Sequence, residues 1–283
     1  MLKIAWHPCY AHPLPEGHRF PMEKYTLLPQ QLLYEGTIDE VNLFVPNPML
    51  EETILWTHCA EYWQKLKALN LNKQEIRRTG FPLSEALVNR EITIMDGSAQ
   101  AANFALEYGV AMNVAGGTHH AYSNCGEGFC LLNDQAIAAN YLLKTGRAKR
   151  IFIVDLDVHQ GNGTAEIFSE NPNVFTFSMH GKNNFPLRKE KSDLDIGLED
   201  GIDDKNYLQI LSEHLPRQID LFEPDFMFYQ CGVDVLETDK LGRLGLSIAG
   251  CKSRDRMVLE LAKKNEIPVV CSMGGGYSEE IRY

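Results

Sequence analysis

The sequence has no long apolar run. No window approaches the ~20 apolar residues that a membrane-spanning helix needs, and the opening residues Met1 to Pro8 lack the apolar stretch of a secretory signal. Cysteine is scarce and unpatterned: seven residues, at 9, 59, 125, 130, 231, 251 and 271, form no CxxC pair. That excludes a disulfide scaffold and reads as reduced, mostly buried thiols, so a cytoplasmic protein is expected. Basic charge is also short. Lys+Arg 27 against Asp+Glu 38 leaves −11, a field that repels polyanions, excludes sequence-independent nucleic-acid binding and favours cationic partners. No repeat, low-complexity tract or Gly/Ser linker divides the 283 residues, so one domain covering 1–283 is expected.

What is present alternates. Short β-branched and aromatic runs predict strands at Lys3–Trp6, Val41–Val45, Val110–Val114, Ile151–Leu156, Val174–Ser178, Phe226–Gln230 and Val269–Ser272. Segments of helical period lie between them, including Ser98–Tyr108, Asp134–Lys144, Thr164–Ser169, Tyr207–Phe222 and Ser253–Asn265. The alternation predicts an α/β fold with a mainly parallel central sheet and helices on both faces.

In parallel sheets ligands gather beyond the carboxyl ends of the strands, where the loops converge. Five of the predicted strands run into chemistry. Val110–Val114 leads to Gly116, Gly117, His119 and His120, and Ile151–Leu156 to Asp157, His159 and Asn162. Val174–Ser178 leads to Met179 and His180, Phe226–Gln230 to Gly232 and Asp234, and Val269–Ser272 to Gly274, Gly275, Gly276 and Tyr277. Chance places one such exit easily; five in succession point to one polar site along one sheet edge.

Extended backbone turns alternate residues to one side, so Asp155, Asp157 and His159 should project together with Val154, Leu156 and Val158 packed behind. Carboxylate oxygen with imidazole nitrogen suits Zn²⁺ or another divalent first-row ion, and a catalytic zinc site takes three protein ligands. Asp234 is the best third. Read alone, Asp155 and Asp157 serve equally well as loop caps and His159 as a core histidine; the other exits weigh against that. His119 and His120 could bind metal or move protons. With the metal already supplied, an imidazole pair is better used as general base and acid. Tyr277, after three glycines, could donate a hydrogen bond to an oxygen that becomes negative in the transition state.

These residues resemble a known family. Gly116–His120, Gly128–Asp134, Asp155–Gly163, Gly232–Asp234 and Gly274–Tyr277 are similar, in order and spacing, to the motifs of the histone deacetylases, zinc amidohydrolases, and most like the bacterial and class IV branch. The likeness begins near His18–Pro21. It implies an arginase-like α/β domain that removes an acyl group from an N-acyl-lysine of a protein or peptide, or from another N-acyl amine. Under it Asp157, His159 and Asp234 bind zinc, and His120 is general base and acid. His119, paired with Asp155, supports it electrostatically; Tyr277 polarises the carbonyl. The family also implies a structural K⁺ near Asp155, Ser178 and the carbonyls of Asp157, His159 and Met179. Gly128, Phe129 and Phe185 would line the tunnel for the lysine stem.

The sequence departs from the commonest pattern in three places. Asn162 stands where many members carry an aspartate behind the second histidine, which should leave His120 less basic. Leu83–Asp96 does not match the rim loop whose aspartate clamps substrate backbone in eukaryotic members, so no clamp is placed. The chain stops six residues after Tyr277, where relatives continue into a closing helix, so a truncated end is expected. An acetylpolyamine substrate is the near alternative, and a silent scaffold of the same fold a further one. A two-manganese ureohydrolase is excluded because the exits supply ligands for one catalytic metal. The acidic stretch Glu190–Asp204 reads as a solvated loop, and His7, His12 and His18 as part of a proline-rich surface loop or a rim over the pocket.

Overall fold

Strands β1 (Lys3–Ala5), β2 (Leu43–Phe44), β3 (Val110–Asn113), β4 (Ile151–Asp155), β5 (Val174–Gly181), β6 (Leu194–Leu198), β7 (Phe226–Gln230) and β8 (Val269–Ser272) form one eight-stranded sheet in a computed structural model that describes residues 1–280. Its order is β2-β1-β3-β8-β7-β4-β5-β6 and every pairing is parallel. All carboxyl ends therefore face one edge. The expected mainly parallel sheet in a single α/β domain is what the chain adopts. The expectation about the chain end concerns residues 281–283 and lies outside the described residues.

The helices are α1 (Lys24–Tyr34), α2 (Glu51–Leu55), α3 (Ala60–Lys67), α4 (Lys73–Thr79), α5 (Glu85–Tyr108), α6 (Asp134–Lys144), α7 (Asn162–Phe168), α8 (Asp204–Phe222) and α9 (Ile248–Lys264). Side-chain caps fix where several begin. Ser84 accepts from Leu87 N to open α5, Asn133 from Ala136 N to open α6, Asp203 from Asn206 N for α8 and Ser247 from Gly250 N for α9.

Two apolar layers sandwich the sheet. Ile151 and Ile153 of β4 join Phe226, Phe228 and Val270 on the side of α5 and α6, while Phe152 and Val154 join Met227, Tyr229, Leu215 and Val258 on the side of α8 and α9. Each fully buried side chain such as Phe228 stabilises the fold by about 1.5–3 kcal/mol. Burial on both faces is why the central strands read as continuous apolar runs.

Two expectations fail. Glu190–Asp204 is not a solvated loop, because β6 lies inside it: Leu194, Ile196 and Leu198 alternate towards the core at the sheet edge. Its acids are also occupied. Asp193 accepts from Thr176, Asp195 from Gln160 and Ser192, Asp203 caps α8, and Asp204 accepts from Ser247. The run Val41–Val45 is strand only at Leu43–Phe44, since Glu40–Asn42 winds into a 3₁₀ turn closed by Asp39 and Asn42. Leu83–Asp96 mostly belongs to α5, which makes it scaffold and not rim.

Candidate active site and metal centre

The parallel sheet brings the exits of β3, β4, β7 and β8 to one point. β4 stops at Asp155 and the chain bends, so the extended alternation expected through His159 ends there. Leu156 and Val158 still turn into the core, and Asp157 and His159 still turn away from it together. Arg254, fully buried on α9, holds the bend by donating to Leu156 O at 3.1 Å, Gly232 O at 2.7 Å and Cys231 O at 3.2 Å. One guanidinium thus ties the β4 exit to the β7 exit.

Asp157, His159 and Asp234 are all buried, with one ligand atom of each within 4.8 Å of the others. His159 Nδ1 lies 3.1 Å from both Asp157 Oδ1 and Asp234 Oδ2. The second oxygens are spoken for: Gly275 N donates to Asp157 Oδ2 at 2.8 Å and Val158 N to Asp234 Oδ1 at 2.9 Å. Burial and the charge of Asp157 push the Asp234 carboxyl up from its ordinary range. Burial opposes a charge on His159, but its bonds to Asp157 and Asp234 outweigh that and push it up to about 10. Two buried carboxylates and one imidazole drawing positive charge between them fit a divalent cation with N and O preference, and three ligands leave a position open.

The β3 exit is fixed from below. Asp134 Oδ1 accepts from Gly117 N at 2.9 Å, Thr118 N at 2.8 Å and Thr118 Oγ1 at 2.9 Å, and Gln230 Nε2 donates to Gly117 O at 3.0 Å. Above this brace the rings of His119 and His120 stand 4.1 Å apart. His119 Nδ1 meets Asp155 Oδ2 at 2.6 Å, and His120 Nδ1 meets Asn162 Oδ1 at 2.7 Å. Burial opposes charge on both. For His119 the carboxylates of Asp155 and Asp157 outweigh it and push the ring up to about 9. For His120 the positive neighbours His119 and His159 add to burial, and the ring falls well below its ordinary range. A charged and a neutral imidazole stand side by side.

Tyr277, half-buried, lies with its ring 6.4 Å from His159; its main-chain N–H donates to Asp239 Oδ2 at 2.6 Å. Burial and the charges of Asp234 and Asp157 push the phenol well up, so at neutral pH it is a hydrogen-bond donor. Lys24 of α1 donates to Gly274 O at 3.3 Å, with its ammonium 5.4 Å from the Tyr277 ring.

A histone deacetylase domain model matches residues 18–282. The chain belongs to the histone deacetylase family. An uncharacterized protein of Picosynechococcus sp. is 45% identical over 278 residues, spanning 98% of this chain and 93% of its own. Histone deacetylase 2 of Arabidopsis thaliana is 29% identical over 270 residues, 92% of this chain and 70% of its own. Among solved structures, an HDAC homolog complexed with SAHA superposes with TM-score 0.85 at 27% identity, covering 98% of this chain and 79% of its own. An HDAC homolog from Aquifex aeolicus gives 0.84 at 26%, covering 97% and 79%. Family and fold are those of deacetylases.

Against that background the structure brings together His119, His120, Asp155, Asp157, His159, Asn162, Asp234 and Tyr277. Gly128 carries φ +54°, and a Cβ there would lie 2.8 Å from His120 Cδ2 and 3.2 Å from Phe185 Cε1. Phe185 stands edge-on to His120 at 5.1 Å; Phe129 lies 6.0 Å from Tyr277 and packs on Phe20 and Phe81. Phe20 falls within the His18–Pro21 segment where the likeness begins, whereas Phe81 drew no attention, because a single phenylalanine in a loop carries no spacing signal. Ser178 sits beside Asp155 in the β4–β5 register, but its hydroxyl bonds His180 Nδ1 at 2.9 Å, and Met179 is buried.

His18 reaches the phenylalanine cluster, stacking on Phe81 at 5.7 Å and lying edge-on to Phe129 at 6.1 Å, while His12 is buried edge-on to Phe81. Of the two expectations for this segment, the rim reading fits His18, and His12 is core. His58 braces the loops on either side of Gly128: Nδ1 meets Tyr122 O and Nε2 accepts from Asn133 N, both at 3.0 Å. Among the described residues no helix is long and apolar enough to cross a membrane.

Proposed function

We propose that the chain is a zinc-dependent deacetylase that hydrolyses the amide of an N-acetyl-lysine or a similar N-acyl amine. One observation carries the reading: three buried ligand atoms converge beside an imidazole pair, one ring backed by the Asp155 carboxylate and the other by the Asn162 amide. Asp157, His159 and Asp234 would hold the zinc ion, which when bound would supply Lewis acidity towards the carbonyl and lower the pKa of a water molecule. Neutral His120 takes the proton of the attacking water and later returns it to the departing amine nitrogen. His119, charged against Asp155, keeps positive potential beside the developing oxyanion, and the Tyr277 hydroxyl donates to that oxygen. Phe129 and Phe185 exclude water along the lysine stem.

The cavity lined by Gly117, His119, His120, Phe129, Asp157 and Tyr277 holds about 30 Å³. Asp155, Ser178 and the carbonyls of Asp157, His159 and Met179 are the set we assign to a structural potassium ion. The seven unpaired cysteines support a reducing, cytoplasmic setting.

The deciding experiment runs acyl-lysine peptides of graded chain length beside N-acetylpolyamines, with the metal chelated and zinc then restored. Hydrolysis of acetyl-lysine that vanishes on chelation and returns with zinc is expected. Turnover indifferent to chelation contradicts the metal reading, and a preference for acetylpolyamines moves the substrate to small amines.

A further inference from the structure

His120 differs from His119 in what stands behind it. Asn162 Oδ1 receives His120, while Asn162 Nδ2 lies 2.7 Å from Glu127 Oε2 and 2.9 Å from Tyr122 Oη. Glu127 Oε1 is in turn held at 3.0 Å by Arg78 Nε, and Tyr122 Oη donates to Glu190 Oε1 at 3.2 Å. A carboxylate only accepts, so the amide nitrogen of Asn162 must face Glu127. Its oxygen must then face His120 Nδ1, which is left to carry the ring hydrogen. The lone pair stays on Nε2, which has no hydrogen-bond partner among the described residues, on a ring that lines the cavity.

We infer that Glu127 is the positioning residue of the proton-transfer step: by accepting from Asn162 Nδ2 it turns the Asn162 oxygen towards His120 and so fixes the tautomer whose Nε2 is free to accept. The inference rests on the reading of His120 as base and deepens it. Glu127 does not stand out by itself, since it is one of many acids and its side chain is 17% exposed. Its juxtaposition with Asn162 decides.

The two oxygens of Glu127 serve two donors, Arg78 Nε–H and Asn162 Nδ2–H. A glutamine has one acceptor for both. In Glu127→Gln the charged Arg78 claims the single oxygen, the glutamine NH₂ faces Asn162, and the Asn162 amide turns over and presents its own NH₂ to His120, which forces the hydrogen onto Nε2 and removes the base. Asn162→Asp inverts the demand, because the introduced carboxylate would face that of Glu127. Adding Glu127→Gln to that variant would then offer an NH₂ to the introduced carboxylate and an oxygen to Arg78.

The test is a double-mutant cycle on the zinc-loaded full chain, with kcat and KM on an acetyl-lysine peptide, zinc content, and ¹⁵N NMR of the His120 ring. Glu127→Gln is expected to lower kcat roughly tenfold with KM and zinc nearly unchanged, and to move the hydrogen from Nδ1 to Nε2. In the Asn162→Asp background the same substitution is expected to raise kcat. Should the glutamine variant fail to accumulate, Glu127→Ala deletes the acceptor outright and is expected to lower kcat alike. An equal factor in both backgrounds, or an unmoved tautomer, overturns the role of Glu127. His120→Ala separates the two claims: if it keeps full turnover the base itself is wrong, whereas an inactive His120→Ala beside an unaffected Glu127→Gln removes Glu127 alone.

Discussion

Two glycines at the site separate proton transfer from metal binding, and the contrast tests the whole arrangement. Gly128→Ala places a methyl where φ is +54°, which costs an L-residue about 1–2 kcal/mol. That methyl would stand 2.8 Å from His120 Cδ2 and 3.2 Å from Phe185 Cε1. Real carbon contacts lie near ~3.5–4.0 Å, so the imidazole must retreat by the better part of an ångström or Phe185 must open the wall. A displacement of ~1 Å of a reacting group costs on the order of 10²-fold in rate. The three atoms nearest that methyl belong to His120 and Phe185, not to Asp157, His159 or Asp234. Gly275→Ala does the reverse: its methyl would overlap Asp234 Oδ2 and come within 2.9 Å of Asp157 Oδ2, while leaving His120 alone.

The assay pairs zinc stoichiometry and affinity with kcat on an acetyl-lysine peptide, and a thermal melt registers the backbone cost. Gly128→Ala should keep its zinc and lose kcat; Gly275→Ala should lose zinc first, with activity partly recovered at high zinc concentration. If Gly128→Ala melts lower yet keeps kcat within about threefold, the position of His120 does not limit the reaction and its assignment as base falls.

Two further outcomes are expected. Tyr277→Phe removes one donor to the developing oxyanion and should lower kcat by about 10²–10³-fold with KM little changed; a rate near wild type would move carbonyl polarisation elsewhere. Burial holds His12, His58 and His180 down at about 4, against an ordinary value near 6.5. Each folded-state value is depressed, so the stability these neutral rings confer is complete above pH ~6.5 and is lost as pH falls towards ~4, on the order of 1–2 kcal/mol per ring by pH 5. Chemical denaturation at pH 7 and 5 checks it, and His58→Gln should flatten the dependence; an unchanged slope would mean that His58 is not the buried neutral group described.

The central sheet was legible because strands buried on both faces leave unbroken apolar runs, and the site was legible because a parallel sheet turns every strand exit to one edge. Helices α1 to α4 left little trace. They are short or interrupted, as at Pro29, and take their stability from packing beyond their own sequence. The strand β6 was hidden for a different reason: Leu194, Ile196 and Leu198 alternate, but the acids around them dominate the local composition. Arg254, Gln230 and Glu127 were invisible because their work lies in contacts between segments far apart in the chain. Arg254 lies 98 residues along the chain from the carbonyl of Leu156 that it holds.

The same distinction explains why His119 and His120, neighbours in the chain, do not share a protonation state. Two imidazolium rings 4.1 Å apart would repel by about 4 kcal/mol at an effective dielectric near ~20, several times the thermal energy, so only one can be charged. The proton goes to the ring backed by a carboxylate, and Asp155 at 2.6 Å stands behind His119. His120 is backed by the neutral amide of Asn162, and the negative charge of Glu127 is offset in place by Arg78 at 3.0 Å. The network therefore gives His120 orientation without giving it charge. An aspartate in direct contact would supply both at once and let the ring compete with His119 for the proton. The amide at 162 thus separates two properties that a carboxylate would join, and the direction of proton flow follows from that separation.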